Sequence, residues 1–115
     1  MQSLGFALDG LRHVYKTEAN FTIHIVLSFI ALLLAFILQI SRLEIIAVII
    51  MITLGLATEL ANTAIEEMID LVTVEHRKEA KIAKDVAAGM MLIVAIGSIL
   101  MGFIIYTPYL IKSFQ

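Results

Sequence analysis

Four polar residues stand in an otherwise apolar stretch at spacings of three, four and four: Glu59, Asn62, Glu66 and Asp70. At about 100° per residue these positions form one narrow stripe on a helix. A carboxylate within a membrane span is costly to hold and usually functional. The plainer reading is a stripe that joins helices by hydrogen bonds, but three carboxylates are too acidic for that. Like charges repel unless a cation neutralises them, and a divalent metal would do so. Mg²⁺ suits the donors, since it takes oxygen ligands, commonly one or two carboxylates with phosphate oxygens and water. Glu67 falls to the side of the stripe as a solvated neighbour. Glu18, if it lies at the depth of Glu66, could be a second metal ligand from another helix; spacing alone equally allows an ordinary interfacial carboxylate.

Lys84 and Asp85 form a second constellation, at the expected start of a later helix. A lysine there can pair with phosphates, and Asp85 can cap the helix or hold the lysine. Anchoring of a span by basic residues would explain the same pair. His13, His24 and His76 show no metal-ligand spacing and read singly as structural. Ala57/Ala61 and Ala83/Ala87 are small-residue pairs that suit close helix packing. No phosphate-binding glycine loop and no protein-kinase signature occurs, so no general motif announces a nucleotide site.

The elements that must position these residues follow from composition. The 115-residue chain is 61% hydrophobic with a mean hydropathy of +1.00. Soluble domains hold about 45–50% apolar residues, so the surplus requires a bilayer. The expectation is a single all-α integral membrane domain, residues 1–115: an amphipathic surface helix over 1–17 and transmembrane helices over 21–40, 45–70 and 84–111. Leu4, Leu8, Leu11 and Tyr15 give the first helix its apolar face. Phe21–Ile40 carries no formal charge with His24 neutral, and twenty residues at about 1.5 Å each cross about 30 Å, one hydrocarbon core. The second apolar run reaches Glu59 after fourteen residues, so a spanning helix must continue through the acidic stripe. A polar loop over 71–80 follows. Residues 1–20 lack the basic-then-apolar order of a cleavable leader, so the first span is expected to act as its own insertion signal. With no cysteine in the chain, disulfides, thiolate metal sites and cysteine nucleophiles are excluded. The net charge of −2 gives no sign of nucleic-acid binding.

Three spans put Arg12, Lys16, Arg77, Lys78, Lys81 and Lys84 on one side of the membrane and only Arg42 and Lys112 on the other. The positive-inside rule then places the N-terminus and the 71–84 region in the cytoplasm, with the acidic stripe towards the cytoplasmic end of its helix, and the C-terminus outside.

At these residues the chain resembles the small prokaryotic diacylglycerol kinase/undecaprenol kinase family. The matching stretches are Glu59-Leu-Ala-Asn62-Thr-Ala-Ile-Glu66-Glu-Met-Ile-Asp70, Ala83-Lys84-Asp85-Val-Ala-Ala-Gly89 and Glu18-Ala-Asn20-Phe21, and the likeness runs from about Leu4 to Ile105. It implies a homotrimeric lipid kinase of the bacterial cytoplasmic membrane, with sites at the cytoplasmic interface between subunits. It also implies roles. Glu59 becomes the general base on the lipid hydroxyl, Glu18 and Glu66 the Mg²⁺ ligands, and Asn62 a positioning residue. Lys84 and Asp85 match positions that contact ATP, and Glu75 with His76 falls where the family's loop meets the nucleotide. Asp70 matches a family acid without an assigned role. The stretch from Asp70 to Arg77 and on to Gly89 is similar to the undecaprenol branch. The absence of tryptophan, with Asn20 and His24, departs from the diacylglycerol pattern. Undecaprenol is therefore the expected acceptor and diacylglycerol the alternative. A non-catalytic membrane subunit is the reading from another class; it has no need of the acidic stripe together with Lys84 and Asp85.

Overall fold

The computed structural model describes residues 2–75 and 77–115. Its elements are α1 (Gln2–Thr17), α2 (Ala19–Leu38), α3 (Arg42–Val72) and α4 (Lys78–Ser113). The fold is all-α, and the described residues contain no strand. α2, α3 and α4 are each long and apolar enough to cross a membrane. None buries more than 22% of its most apolar window within the chain. Phe29, Phe36, Ile93 and Phe103 are among the side chains left outside. In water that surface would aggregate; a bilayer matches it, because helices satisfy their backbone polar groups along the segment.

The ends of the helices are fixed by local chemistry. At Glu18 the backbone is extended (φ −114°, ψ 104°), which lets the chain turn from the exposed helix α1 into α2. α2 stops at Gln39, which takes a left-handed conformation (φ 53°). The Gln39 N–H donates to the Phe36 carbonyl and the Ile40 N–H to the Ala35 carbonyl, each at 3.3 Å, a double closure that satisfies two end carbonyls. α3 then starts in a capping box: the Glu44 N–H donates to Ser41 Oγ, and the Ser41 N–H donates to Glu44 Oε1. Tyr109 of α4 donates its hydroxyl to the same Glu44 carboxylate. Tyr106 donates to the Ala31 carbonyl of α2 at 2.7 Å. These bonds surround the core of Ala35, Ile40, Val48 and Ile105. The three long helices are thus tied at the α2–α3 turn, opposite the acidic end of α3.

α4 begins at Lys78, six residues before the third span was expected, and only residues 73–77 separate it from α3. Its first two turns are charged and lie outside any apolar window, yet they suit a helix. Glu79 sits in the first turn, and Lys81 Nζ is 2.6 Å from Asp85 Oδ2 one turn on. Asp85 is therefore no helix cap. The N-cap position is Arg77, and Asp85 lies in the second turn.

Candidate active site

The stripe on α3 grades from dry to wet. Glu59 is 4% exposed, between the buried Thr58 and Thr63. Asn62 and Glu66 are half-buried and Asp70 is exposed. Eleven residues of helix put Asp70 about 16 Å from Glu59 along the axis. Burial of Glu59 comes from α2, which packs beside α3 and lays His24 against it: His24 Nε2 is 3.7 Å from Glu59 Oε2. The charges of Glu18, at the α1–α2 junction, and of Glu66 also reach Glu59. Residues far apart in the chain are thus gathered around one carboxylate. α1 is held to the same end of α3 by His13 Nε2, 3.7 Å from Glu67 Oε1, so Glu67 has a partner across helices.

Two cavities flank the stripe. The first, of about 630 Å³, runs between α2, α3 and α4. Glu59, His24 and Asn20 stand at one end and Tyr106 at the other. Its wall on α4 mixes small side chains, Ala88, Ala95, Ser98 and Gly102, with larger apolar ones such as Met91, Leu92 and Ile99, and Met51 and Ile52 line it from α3. From Ala88 to Tyr106 is about 27 Å of helix, most of a hydrocarbon core. The second cavity, of about 880 Å³, lies at the 73–77 loop and is lined by Asp70, Glu75, Arg77, Lys81, Lys84 and Asp85 among others. Along α3, the turns that carry Asn62 and Glu66 lie between the residues that line the two.

Lys84, Asp85 and Glu75, singled out for nucleotide contacts, therefore share one cavity, while His76 lies outside the described residues. The pairing within it differs from that expected. Lys84 Nζ is held at 3.0 Å by Asp70 Oδ1, whereas Asp85 pairs with Lys81, so Asp85 does not hold Lys84. With α4 helical from Lys78, Asp85 faces the side chain one turn back, and Lys84 turns to α3. Both pairs are exposed and easily opened by a more highly charged ligand.

For a hard cation the donors are oxygens: the Glu18 and Glu66 carboxylates, and Asn62 Oδ1, which is buried without a hydrogen-bond partner among the described residues. Asn62 Nδ2 donates a long bond of 3.4 Å to Glu66 Oε1. Among the described residues no three His, Asp or Glu side chains converge into a complete metal cage. The set fits a cation that completes its shell with phosphate and water, and does not fit a resident structural ion.

The distribution of these residues along the chain is that of a known group. The family described as prokaryotic diacylglycerol kinase matches residues 5–106. The chain belongs to that family. An undecaprenol kinase of Bacillus subtilis is 36% identical over 101 residues, covering 88% of this chain and 82% of its own length. A diacylglycerol kinase of Synechocystis is 32% identical over 96% of this chain and 63% of its own length. One from Pseudomonas aeruginosa is 33% identical over 76% of this chain and 72% of its own. The chain is thus a lipid kinase, and the non-catalytic alternative falls away. The kinase's apolar spans make it a membrane protein. His24 is the residue that sequence reasoning set aside. The available signal was its position: an ionisable side chain within a span, four residues after Asn20 and so on the same helix face.

Proposed function

We propose that this kinase transfers the terminal phosphoryl group of ATP to the hydroxyl of a membrane lipid alcohol, with undecaprenol as the acceptor. The observation that carries the proposal is a buried carboxylate, Glu59, at the polar end of a long apolar groove. A lipid tail lying in the groove brings its hydroxyl to Glu59. The nucleotide enters at the other cavity, where Lys84, freed from Asp70, pairs with phosphate, and Asp85 and Glu75 line the walls. Its phosphates extend along α3 past Glu66 and Asn62 towards Glu59. Glu18 and Glu66 would hold Mg²⁺ there, with Asn62 Oδ1 as a further oxygen donor. When bound, Mg²⁺ would supply charge neutralisation at the transferred phosphoryl group.

Phosphoryl transfer asks for positioning and electrostatics rather than covalent help from the protein. Glu59 accepts the hydroxyl proton while the lipid oxygen bonds to the terminal phosphorus and the bond to ADP breaks. The products are the lipid monophosphate and ADP. The site operates in a homotrimer of the bacterial cytoplasmic membrane, with α1 and the 73–77 loop on the cytoplasmic side, as the basic residues there require.

Undecaprenol is favoured over diacylglycerol by the name of the Bacillus relative and by the length of the apolar groove, most of a hydrocarbon core, which suits a long chain. The test is a lipid panel with purified protein, ATP and Mg²⁺. Faster phosphorylation of undecaprenol than of a dioleoylglycerol supports the assignment. Preference for dioleoylglycerol reverses it, and no transfer to either removes it.

A further inference from the structure

The geometry points to His24 as the residue that orients the Glu59 carboxylate for its work on the lipid hydroxyl, a positioning role that rests on the reading of Glu59 as the base. The imidazole and the carboxylate meet at the polar end of the groove, with His24 Nε2 3.7 Å from Glu59 Oε2. Apart from Tyr106 at the far end, they are the ionisable side chains lining that groove. The His24 side chain is 35% exposed and that of Glu59 5%, so His24 forms the rim and Glu59 the floor. From α4 the groove meets this pair with Ala88, Met91 and Leu92, none of which offers a hydrogen-bond donor through its side chain. The other charges acting on Glu59 are the carboxylates of Glu18 and Glu66, which repel it.

A buried carboxylate without a donor would turn to whatever polar group came near, including the nucleotide's metal. At 3.7 Å the ring nitrogen is within ion-pair reach of one oxygen but beyond hydrogen-bond length; closing onto that oxygen would fix the rotamer and leave the second oxygen for the hydroxyl. Gly55, one turn before Glu59 on the same face of α3, is buried, and a Cβ there would lie 3.7 Å from His24 Nδ1. The imidazole therefore lies beside Gly55, with Nε2 towards the acid. Orientation errors at a reacting group can cost about a hundredfold in rate without changing substrate affinity.

The experiment compares His24→Leu, His24→Gln, Glu59→Gln and the double variant His24→Leu/Glu59→Gln in purified protein, measuring undecaprenol and dioleoylglycerol phosphorylation over ranges of ATP and lipid. His24→Leu removes the imidazole and should lower kcat about tenfold or more, with KM for ATP and lipid within about twofold. His24→Gln, whose amide reaches the place of Nε2, should recover most of that loss. Because His24 acts through Glu59, the double variant should be no slower than Glu59→Gln. Wild-type kcat in His24→Leu, or losses that multiply in the double variant, overturn the assignment. Should His24→Leu fail to assemble, His24→Asn, with its amide short of the carboxylate, carries the same comparison of kcat with KM. Normal activity in Glu59→Gln, or no lipid phosphorylation by the wild type, would instead overturn the reading of the site beneath it.

Discussion

Replacing Lys84 with alanine separates its two contacts, one with Asp70 and one with phosphate. In the structure Lys84 Nζ lies 3.0 Å from Asp70 Oδ1, with the two side chains 44% and 64% exposed. An ion pair that open to solvent is worth about 0–1 kcal/mol. Lys84→Ala should therefore lower stability by less than about 1 kcal/mol and leave assembly intact. A charge-assisted bond to a phosphate is worth about 1.5–3 kcal/mol, which corresponds to about 10–150-fold in affinity. KM for ATP should rise by that factor while KM for the lipid stays within about twofold. The assay is lipid phosphorylation against ATP concentration at saturating lipid, with thermal unfolding in the same detergent as the stability control. An ATP KM within twofold of wild type would refute the placement of the nucleotide at the 73–77 loop. A large loss of stability would refute the claim that the pair with Asp70 is peripheral.

Activity should require Mg²⁺ or a similar hard cation, disappear on chelation and return on its addition. Glu66→Gln should raise the Mg²⁺ concentration needed for half-maximal rate, measured by titration at fixed ATP; an unchanged requirement removes Glu66 as a ligand. A reporter fused after Gln115 should mark the outer face and one inserted after Val74 the cytoplasm, and the reverse pattern would contradict the orientation.

The elements were legible where the signal is local. Hydropathy reveals the three apolar helices, and the three-four-four spacing reveals which side of α3 carries the acids, because both depend on neighbours along one helix. The start of α4 was hidden because its first two turns are charged and resemble a loop by composition. They are helical through pairs such as Lys81–Asp85. The cross-helix partners could not be read. Glu59 with His24, Lys84 with Asp70 and Tyr109 with Glu44 depend on how α2, α3 and α4 rotate against one another, and no pattern within a single helix encodes that rotation. His24 was passed over for this reason: taken alone, a histidine in a span has no visible partner. The two cavities were likewise invisible, since each is the space that three packed segments leave.

The central claim is that Glu59 takes the proton of the lipid hydroxyl. Glu59→Gln keeps the shape of a side chain that is 4% exposed but cannot accept that proton. The most direct measurement is the turnover number of Glu59→Gln for undecaprenol phosphorylation at saturating Mg-ATP and lipid, beside wild type and Asp70→Asn, after assembly state and nucleotide affinity have been matched. The account predicts a fall of about 10²-fold or more in Glu59→Gln, the scale of general acid–base catalysis, and a smaller fall in Asp70→Asn, which is about 16 Å away along α3. Near-normal turnover in Glu59→Gln would contradict it and pass the proton to phosphate oxygen or to another acid.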